Sequence, residues 1–591
     1  MNLHASRLAA LRSVLAAAGV DGFLVPRSDE HLGEYVPPSG ERLAWLTGFS
    51  GSAGMAVVLS EKAAIFTDGR YTTQVQAETD GSLYERRHLT EEPPEAWLRA
   101  NAEGRRIGYD PWLHSEAALK RLTGVQLVPL SPNPIDAIWR DRPDPPAAPV
   151  VPHPLEYAGA TAQAKREAAA AELRAAGEAA AVLADAHSVA WLLNIRGADL
   201  AFTPLPLATA LLRSDGSVRM FLNAPERVSA ETRAILGNGV AVEPRTHIPA
   251  ALQEFAGKTV RVDPDLTPAW FAGALREAGA KVVAGEDPCR LPRATKNATE
   301  QQGARHAHAR DAVAVARFLA WFAAEAHRGG QTELSAAERL LAFRREVPGF
   351  RGESFPAISG AGENGAIVHY RVTAASARPI AADECYLIDS GGQFLDGTTD
   401  ITRTLWTGPG SAPAGLRARY TAVLRGHVAL GTLRFPEGVA GPHLDAIARR
   451  PLWDLGLDYD HGTGHGVGSF LSVHEGPVSI SRAARVVPIR PGMILSDEPG
   501  YYLPGQYGIR IENLLLARQA EPQPDQVRPI LEFETLTLAP YARALIEPAL
   551  LTPAELRWID AYQARVLEEV GPHLDDATRE WLAAECAPLE A

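Results

Sequence analysis

Six prolines fall within the fifteen residues RDRPDPPAAPVVPHP, from Arg140 to Pro154. Proline fixes φ, lacks an amide N–H and clashes with a preceding helical turn, so this stretch fits neither a helix interior nor a central strand. It reads as an extended connector, and the 591-residue chain is divided there. At roughly 100 to 200 residues per domain, that length implies about three to five domains. On either side the sequence partly echoes itself. Ala44-Trp45-Leu46 precedes apolar runs ending in AAIFTD, and Ala190-Trp191-Leu192 precedes apolar runs ending in VRMFLN, at offsets of 146 and 155 residues. Similarity at that spacing suggests duplication of one α/β unit, whereas solenoid repeats recur about every 20 to 50 residues. Chance recurrence of common dipeptides is the competing reading. Each copy opens with a helical stretch, LAALRSVLAAAG or TAQAKREAAAAELRAAG, followed by short strand-like runs such as MAVVLS and AAIF.

A third region opens after Pro292 with a long helical segment, in which Val315, Phe318, Leu319 and Phe322 recur at helical spacing before Gly329-Gly330 stops it. From about residue 350, strand-like runs (ECYLID, ITRTLW, MILSDE, YGIRIENLLLA) alternate with Gly-rich turns. The expected layout is a first α/β domain over 1–150, a related one over 155–293, a mixed α+β region over 295–535 and a helical C-terminal extension over 536–591. The extension shows no chemistry of its own and reads as a cap or an oligomerisation element.

Composition narrows the function. A formal net charge of −13 argues against a broad phosphate-binding surface, so no nucleic-acid partner is expected. Cys289, Cys385 and Cys586 lie far apart without C-x-x-C spacing, which supports neither a zinc knuckle nor a disulfide framework and fits a reducing compartment. Arg7 and Arg12 interrupt the apolar positions of the N-terminus, which reads as an amphipathic helix and not a signal peptide. No apolar run approaches the roughly 18 residues needed to span a bilayer. A soluble, cytoplasmic protein with no membrane partner is expected.

The chemically suggestive residues gather in the third region. LIDSGGQFLDGTTDITRT holds Asp389, Asp396 and Asp400 among β-favouring residues. If Asp396-Gly397 formed a two-residue turn, Asp389 would oppose Thr404 and Gln393 would oppose Asp400. The two outer aspartates would then lie about 13 Å apart at about 3.3 Å per residue, too far for one metal centre. Either the two are unrelated, or the strands pair in another register with a longer loop, for which Gly391-Gly392 makes a bulge plausible. Downstream, His461, His465 and His474 are separated by glycines that no stable helix would accept in that number, which places them on loops or strand ends. No G-K-[ST] or strand-linked G-x-G-x-x-G accompanies them, so a nucleotide loop is disfavoured. Glu498 precedes Pro499-Gly500, and alternation in YGIRIEN sets Arg510 and Glu512 on one face, with Ile509 and Ile511 on the other. Singly, each such residue is most simply a turn, a cap or a satisfied core group. Together, four carboxylates in apolar surroundings repel unless protonated or met by cations. Two divalent ions supply +4 against −4, and an oxygen-rich set with one imidazole suits Mn²⁺ and, less selectively, Co²⁺ or Zn²⁺.

At these residues the chain resembles the Xaa-Pro aminopeptidases (aminopeptidase P) of the pita-bread metallopeptidase superfamily, in their long three-domain cytosolic form. The resemblance rests on GFSGSAG, TDGRY, FPAISGAGENGAIVHYR, DSGGQFLDGTTDITRT, HGTGHGVGSFLSVHEGP, SDEPGYY and YGIRIEN. It implies two related creatinase-like N-terminal α/β domains followed by a pita-bread catalytic domain with a C-terminal helical extension. It also implies dinuclear metal ligands at Asp389, Asp400, His465, Glu498 and Glu512, with Asp400 and Glu512 bridging. Substrate-handling roles fall on His369, His461 and His474, with Arg510 beside the bridging glutamate and Arg70 contributed by the first domain. Asp396 and Asp497 fall outside the set and keep turn and strand-end readings.

The reaction implied is hydrolysis of the bond between an N-terminal residue and a penultimate proline, by a hydroxide held between two metals. His474 would stabilise the oxyanion and Glu498 would carry the proton, while His369 and His461 orient substrate. Tyr370, Tyr501 and Tyr502 are candidates for a proline-ring pocket. A homodimer is implied by the family's C-terminal domain. Prolidase, which shares the ligands but takes dipeptides, is the nearest alternative. A metal-free pita-bread peptide-binding module is a distant one, and methionine aminopeptidase is disfavoured because it lacks such large N-terminal domains.

Overall fold

The computed structural model describes residues 3–589. The chain folds into two compact units, one built from residues 1–155 and 160–290 and the other from 156–159 and 291–591.

The first unit contains two six-stranded sheets with the same strand order. In space, the first runs Glu85–His88, Ala63–Thr67, Met55–Leu59, Gly22–Pro26, Arg106–Tyr109, Gln126–Pro129. The second runs Val240–Pro244, Val218–Leu222, Thr209–Arg213, Ala180–Leu183, Thr259–Val262, Lys281–Ala284. In both, the third strand is antiparallel to its neighbours and the other pairings are parallel. The echoed runs AAIFT and VRMFL hold the same second place in each sheet, as duplication requires. Leu8, Leu11 and Leu15 of helix Leu3–Ala17 are buried in the core of the first domain, as the amphipathic reading expects. Trp112 stacks on Trp270 at 4.1 Å, with the Arg245 guanidinium 4.6 Å from the Trp112 ring, and so joins the two domains. The proline connector has no regular structure over 143–149, and its backbone is tied to the second domain. Asp199 accepts from the Ala148 N–H at 3.1 Å, and Arg227 donates to the Ala148 carbonyl at 3.0 Å.

The second unit starts from helix Ala298–Glu325. A capping box between Asn297 and Glu300 starts it, and it continues as a short 3₁₀ turn to Arg328 before Gly329 and Gly330 at positive φ end it. Val315, Phe318, Leu319 and Phe322 are all buried. A three-stranded sheet (Ile358–Ala361, Cys385–Ser390, Ile401–Trp406) and a six-stranded sheet carry the chemical residues. The six-stranded order is Arg434–Pro436, Ile530–Thr535, Asn513–Gln519, Ile494–Asp497, Gly464–Gly466, Glu475–Ile480.

Two sequence expectations need correction here. The hairpin after Asp389 does turn tightly, but Phe394 pairs with Gly397, so its loop residues are Leu395-Asp396 and not Asp396-Gly397. Asp389 therefore opposes Thr402, not Thr404. The register is the same on both sides of Gly391, so neither a longer loop nor an inserted residue is present. Asp400 then lies diagonally across from Asp389, within reach on one face. A Cβ at Gly391 would overlap the Thr399 carbonyl oxygen and the Ser354 hydroxyl, so packing demands glycine there. The run YGIRIENLLLA is also two strands: Tyr507–Arg510 pairs with Gly500–Leu503, and Asn513–Gln519 pairs with Ile494–Asp497. The chain changes sheets at Ile511-Glu512.

Gly391→Ala should lower the stability of the metal-free protein by about 1–3 kcal/mol or more, read as a lower midpoint in urea unfolding. A midpoint equal to the parent's would show that the close approach at this turn is not restrictive.

Candidate metal centre

Five strand ends converge on one buried point. Asp389 lies on Cys385–Ser390, Asp400 just before Ile401–Trp406 and His465 on Gly464–Gly466. Glu498 follows Ile494–Asp497, and Glu512 precedes Asn513–Gln519. One ligand atom from each of Asp400, His465 and Glu512 falls within 4.8 Å of the others. His465 Nε2 is 3.5 Å from both Asp400 Oδ2 and Glu498 Oε1. Donors each about 2 Å from a shared cation can stand that far apart. Asp389 enters through Arg510, whose Nη2 donates to Asp389 Oδ2 at 2.7 Å.

The ring orientation of His465 suits a ligand. Its Nδ1 lies 2.9 Å from the Gly466 carbonyl, which can only accept, so Nδ1 keeps a proton and it is Nε2, facing the carboxylates, that exchanges its proton for a cation. Ser496 Oγ accepts from the His465 backbone N–H at 2.9 Å and donates to Glu498 Oε1 at 3.2 Å. Thr402, two residues beyond Asp400 on the same strand face, donates to Glu512 Oε2 at 2.7 Å and accepts from Arg510 Nε at 3.3 Å. Arg510 and Glu512 meet at Thr402 as expected, although the strand ends at Arg510 and so alternation along one strand is not what brings them together.

Electrostatically the cluster lacks positive charge. Burial raises the Asp389 carboxyl against the pull of Arg510. Burial also pushes Glu498 up to about 7, although His465 and Arg510 oppose it. Burial, then the Asp400, Glu498 and Asp389 carboxylates, lifts Glu512 well above the carboxylate range. Burial alone would lower the His465 imidazole, but Asp400 and Glu498 hold it up, at about 9. The Oδ1 atoms of Asp389 and Asp400 are buried and meet no hydrogen-bond donor among the described residues. Orphaned acceptors in an oxygen-rich set with one imidazole fit divalent cations such as Mn²⁺.

Around the cluster, His474 stands edge-on to His465 with ring centres 4.3 Å apart. Arg510 Nη1 donates to the Tyr502 hydroxyl at 2.5 Å, and that hydroxyl is 2.9 Å from His461 Nε2. His461 Nδ1 faces the Gly462 carbonyl at 2.7 Å. Both of its ring nitrogens therefore have protein partners. His369 is half-buried in the loop after the turn Gly362–Ala366. Among the tyrosines, Tyr502 joins the site, Tyr501 packs in the core, and the Tyr370 hydroxyl is held by Glu333 Oε2 at 2.9 Å and the Ser376 carbonyl at 2.8 Å. Arg70 lies in the first unit, paired with Asp68 through Nε at 3.0 Å and Nη2 at 2.7 Å. Asp396 takes its turn role, ion-paired with Arg310. Asp497 ends the strand Ile494–Asp497, as its strand-end reading expects, and is fully buried beside His427. Sequence reasoning passed over Thr402, Ser496 and His427; strand alternation from Asp400 and Glu498 could have found the first two.

Family models match nearly the whole chain: the metallopeptidase family M24 at residues 302–519, creatinase/prolidase N-terminal domains at 7–140 and 141–300, and the C-terminal region of peptidase M24 at 529–589. A probable Xaa-Pro aminopeptidase P of Neosartorya fischeri is 38% identical over 610 residues, covering 99% of this chain and 92% of that protein. The chain belongs to metallopeptidase family M24. Aminopeptidase P1 of Arabidopsis thaliana is 37% identical over 645 residues, covering 98% of this chain and 99% of its own. The crystal structure of X-prolyl aminopeptidase from Caenorhabditis elegans, described as a cytosolic enzyme with a di-nuclear active site, matches with a TM-score of 0.94 at 32% identity, covering all of both chains. In this M24 chain two creatinase/prolidase N-terminal domains precede the M24 match.

Because Glu498, Glu512 and His465 are raised, the metal-free centre holds protons near pH 7 that cations displace. Mn²⁺ titrated into chelator-treated protein should release protons, and affinity should fall as pH drops from 8 to 6. Calorimetry in two buffers of different ionisation enthalpy measures this; equal heats in both would exclude these groups as the ligands.

Proposed function

We propose that the chain is a metal-dependent aminopeptidase that cleaves between an N-terminal residue and a penultimate proline, with two divalent ions held by Asp389, Asp400, His465, Glu498 and Glu512. The observation that carries the reading is the set of buried Asp389, Asp400 and Glu512 with half-buried Glu498 and His465, in which two carboxylate oxygens meet no donor among the described residues. The set lies in a chain that matches Xaa-Pro aminopeptidases from end to end. Prolidase fits less well, because these full-length relatives share both N-terminal domains.

Bound there, divalent ions supply Lewis acidity and bring a water's pKa towards neutrality. The residues do the rest. The Glu498 carboxyl, oriented by Ser496, takes the water proton and hands it to the departing proline nitrogen. That nitrogen must be protonated to leave as a secondary amine, since the bond to proline is a tertiary amide. His474, fixed edge-on to His465, donates to the substrate carbonyl as charge builds. Arg510 holds Asp389 and Tyr502, and His461 acts through the Tyr502 hydroxyl to orient the substrate side of the cleft. His369 orients substrate from its loop. Arg70, pre-set by Asp68, engages the peptide beyond the proline. Mn²⁺ is the proposed metal, with Co²⁺ or Zn²⁺ as substitutes, and a cytoplasmic homodimer is the proposed working form.

Chelator-stripped protein refilled with Mn²⁺ should cleave both Xaa-Pro and Xaa-Pro-Xaa peptides. Turnover of dipeptides alone would assign a prolidase, and no turnover with any metal would end the reading. Glu498→Gln should reduce kcat by about 100-fold or more while the metal-free protein melts as the parent does; activity within tenfold would remove Glu498 from proton transfer. Arg70→Ala should raise KM for longer peptides more than it lowers kcat for a dipeptide. An equal effect on every length would contradict a positioning role.

A further inference from the structure

Next to the metal-centre glutamates in sequence lies a second polar chain that the reaction does not use. Arg403 is 1% exposed and has no carboxylate partner in its hydrogen-bond set. Its five N–H groups instead find the carbonyls of Pro540 (2.9 Å), Thr402 (2.9 Å), Glu512 (2.7 Å) and Ala539 (2.8 Å), and Asn513 Oδ1 (2.8 Å). With its oxygen committed to Arg403, Asn513 turns its amide Nδ2 towards His427 Nε2 at 3.1 Å and the Tyr541 hydroxyl at 3.0 Å. His427 Nε2 must therefore accept, which puts the ring proton on Nδ1. That nitrogen lies 3.1 Å from both the carbonyl oxygen and Oδ2 of Asp497. Donors thus point one way, from the buried guanidinium through amide and imidazole to the backbone carbonyl of Asp497, whose carboxylate oxygens lie beside the ring but meet no hydrogen-bond donor among the described residues. His427, Asn513, Asp497 and Tyr541 are each 2% exposed or less.

Two members of this chain are the sequence neighbours of two metal-centre glutamates. Asp497 immediately precedes Glu498, Asn513 immediately follows Glu512, and Asp497 and Asn513 are cross-strand partners in the six-stranded sheet. His427 bridges that pair from helix Ala414–Gly431. A side chain that ties Asp497 to Asn513 sets the spacing of the strand ends that present Glu498 and Glu512.

We infer that His427 is a positioning residue for the peptidase reaction: through Asp497 and Asn513 it fixes the separation at which Glu498 and Glu512 face the metal centre. This rests on the metal-centre reading above. Outer hydrogen-bond partners of metal ligands typically change affinity or activity by about 10–100-fold when removed, and an effect of that size is expected here. The alternative is a buried network that serves packing alone.

Mn²⁺ affinity of the full-length protein, kcat and KM on an Xaa-Pro-Xaa peptide, and thermal midpoint separate the two. His427→Ala should bind Mn²⁺ about 10–100-fold more weakly and lose kcat at saturating metal, with KM within about threefold of the parent. His427→Asn, whose amide can donate to Asp497 in place of Nδ1, should recover much of the affinity. Parent-like affinity and kcat in His427→Ala, with only a lowered melting midpoint, would overturn the inference. If the alanine variant does not fold, Tyr541→Phe carries the test, since it removes one partner of Asn513 and His427: weaker Mn²⁺ binding supports the inference and unchanged binding overturns it. Failure of the parent itself to bind Mn²⁺ would count against the metal centre, not against His427.

Discussion

Burying several carboxyl groups within reach of one another is unfavourable unless something offsets their charge, and the catalytic unit is organised around that requirement. Arg510 offsets one charge, at Asp389, and Thr402 and Ser496 supply hydrogen bonds to Glu512 and Glu498. What remains is a set of raised carboxyls and orphaned oxygens, a state in which protons and divalent cations compete for the same atoms. The surrounding sheets are built to hold this arrangement against its own repulsion. Each donor sits on or beside the end of a strand, where the neighbouring ladder fixes its position.

Two hairpin details make the convergence possible. Pairing Phe394 with Gly397 brings Asp400 diagonally next to Asp389, and the glycine at 391 lets the Thr399 carbonyl and Ser354 approach the backbone. Across the cleft, the switch of sheets at Ile511-Glu512 lets one short stretch send Arg510 to one sheet and Asn513 to the other while Glu512 stays between them. Neither is a device of side-chain chemistry; both are consequences of where the backbone can go.

Much of this was legible in the sequence, for identifiable reasons. Proline density marked the connector, and the repeated strand runs foretold two domains of equal topology, because hydrophobic runs and turn residues are local signals. The order Asp, Asp, His, Glu, Glu on successive strand-like segments was legible too, and the structure brings Asp400, His465 and Glu512 of that series within 4.8 Å of one another. The register at Asp389 was not, since Asp396-Gly397 is a good turn by local preference and the choice of Leu395-Asp396 is made by the neighbouring strands and by contact at Gly397 with helix Ala298–Glu325. The role of Asp497 was hidden for a similar reason. Its partner His427 is 70 residues away on a helix whose pattern reads as ordinary core.

The tail behaves differently from its sequence. Residues beyond 536 read as a polar helical cap, yet Tyr562 reaches inward to the Thr537 and Ala539 carbonyls and lies 3.3 Å from Arg403, and Tyr541 packs beside His427. Helix Pro553–Val570 therefore helps to wall in a guanidinium that has no carboxylate partner among the described residues. A chain cut short before Tyr562 would admit water to the back of the peptidase core, so the catalytic half cannot be treated as ending where its motifs end.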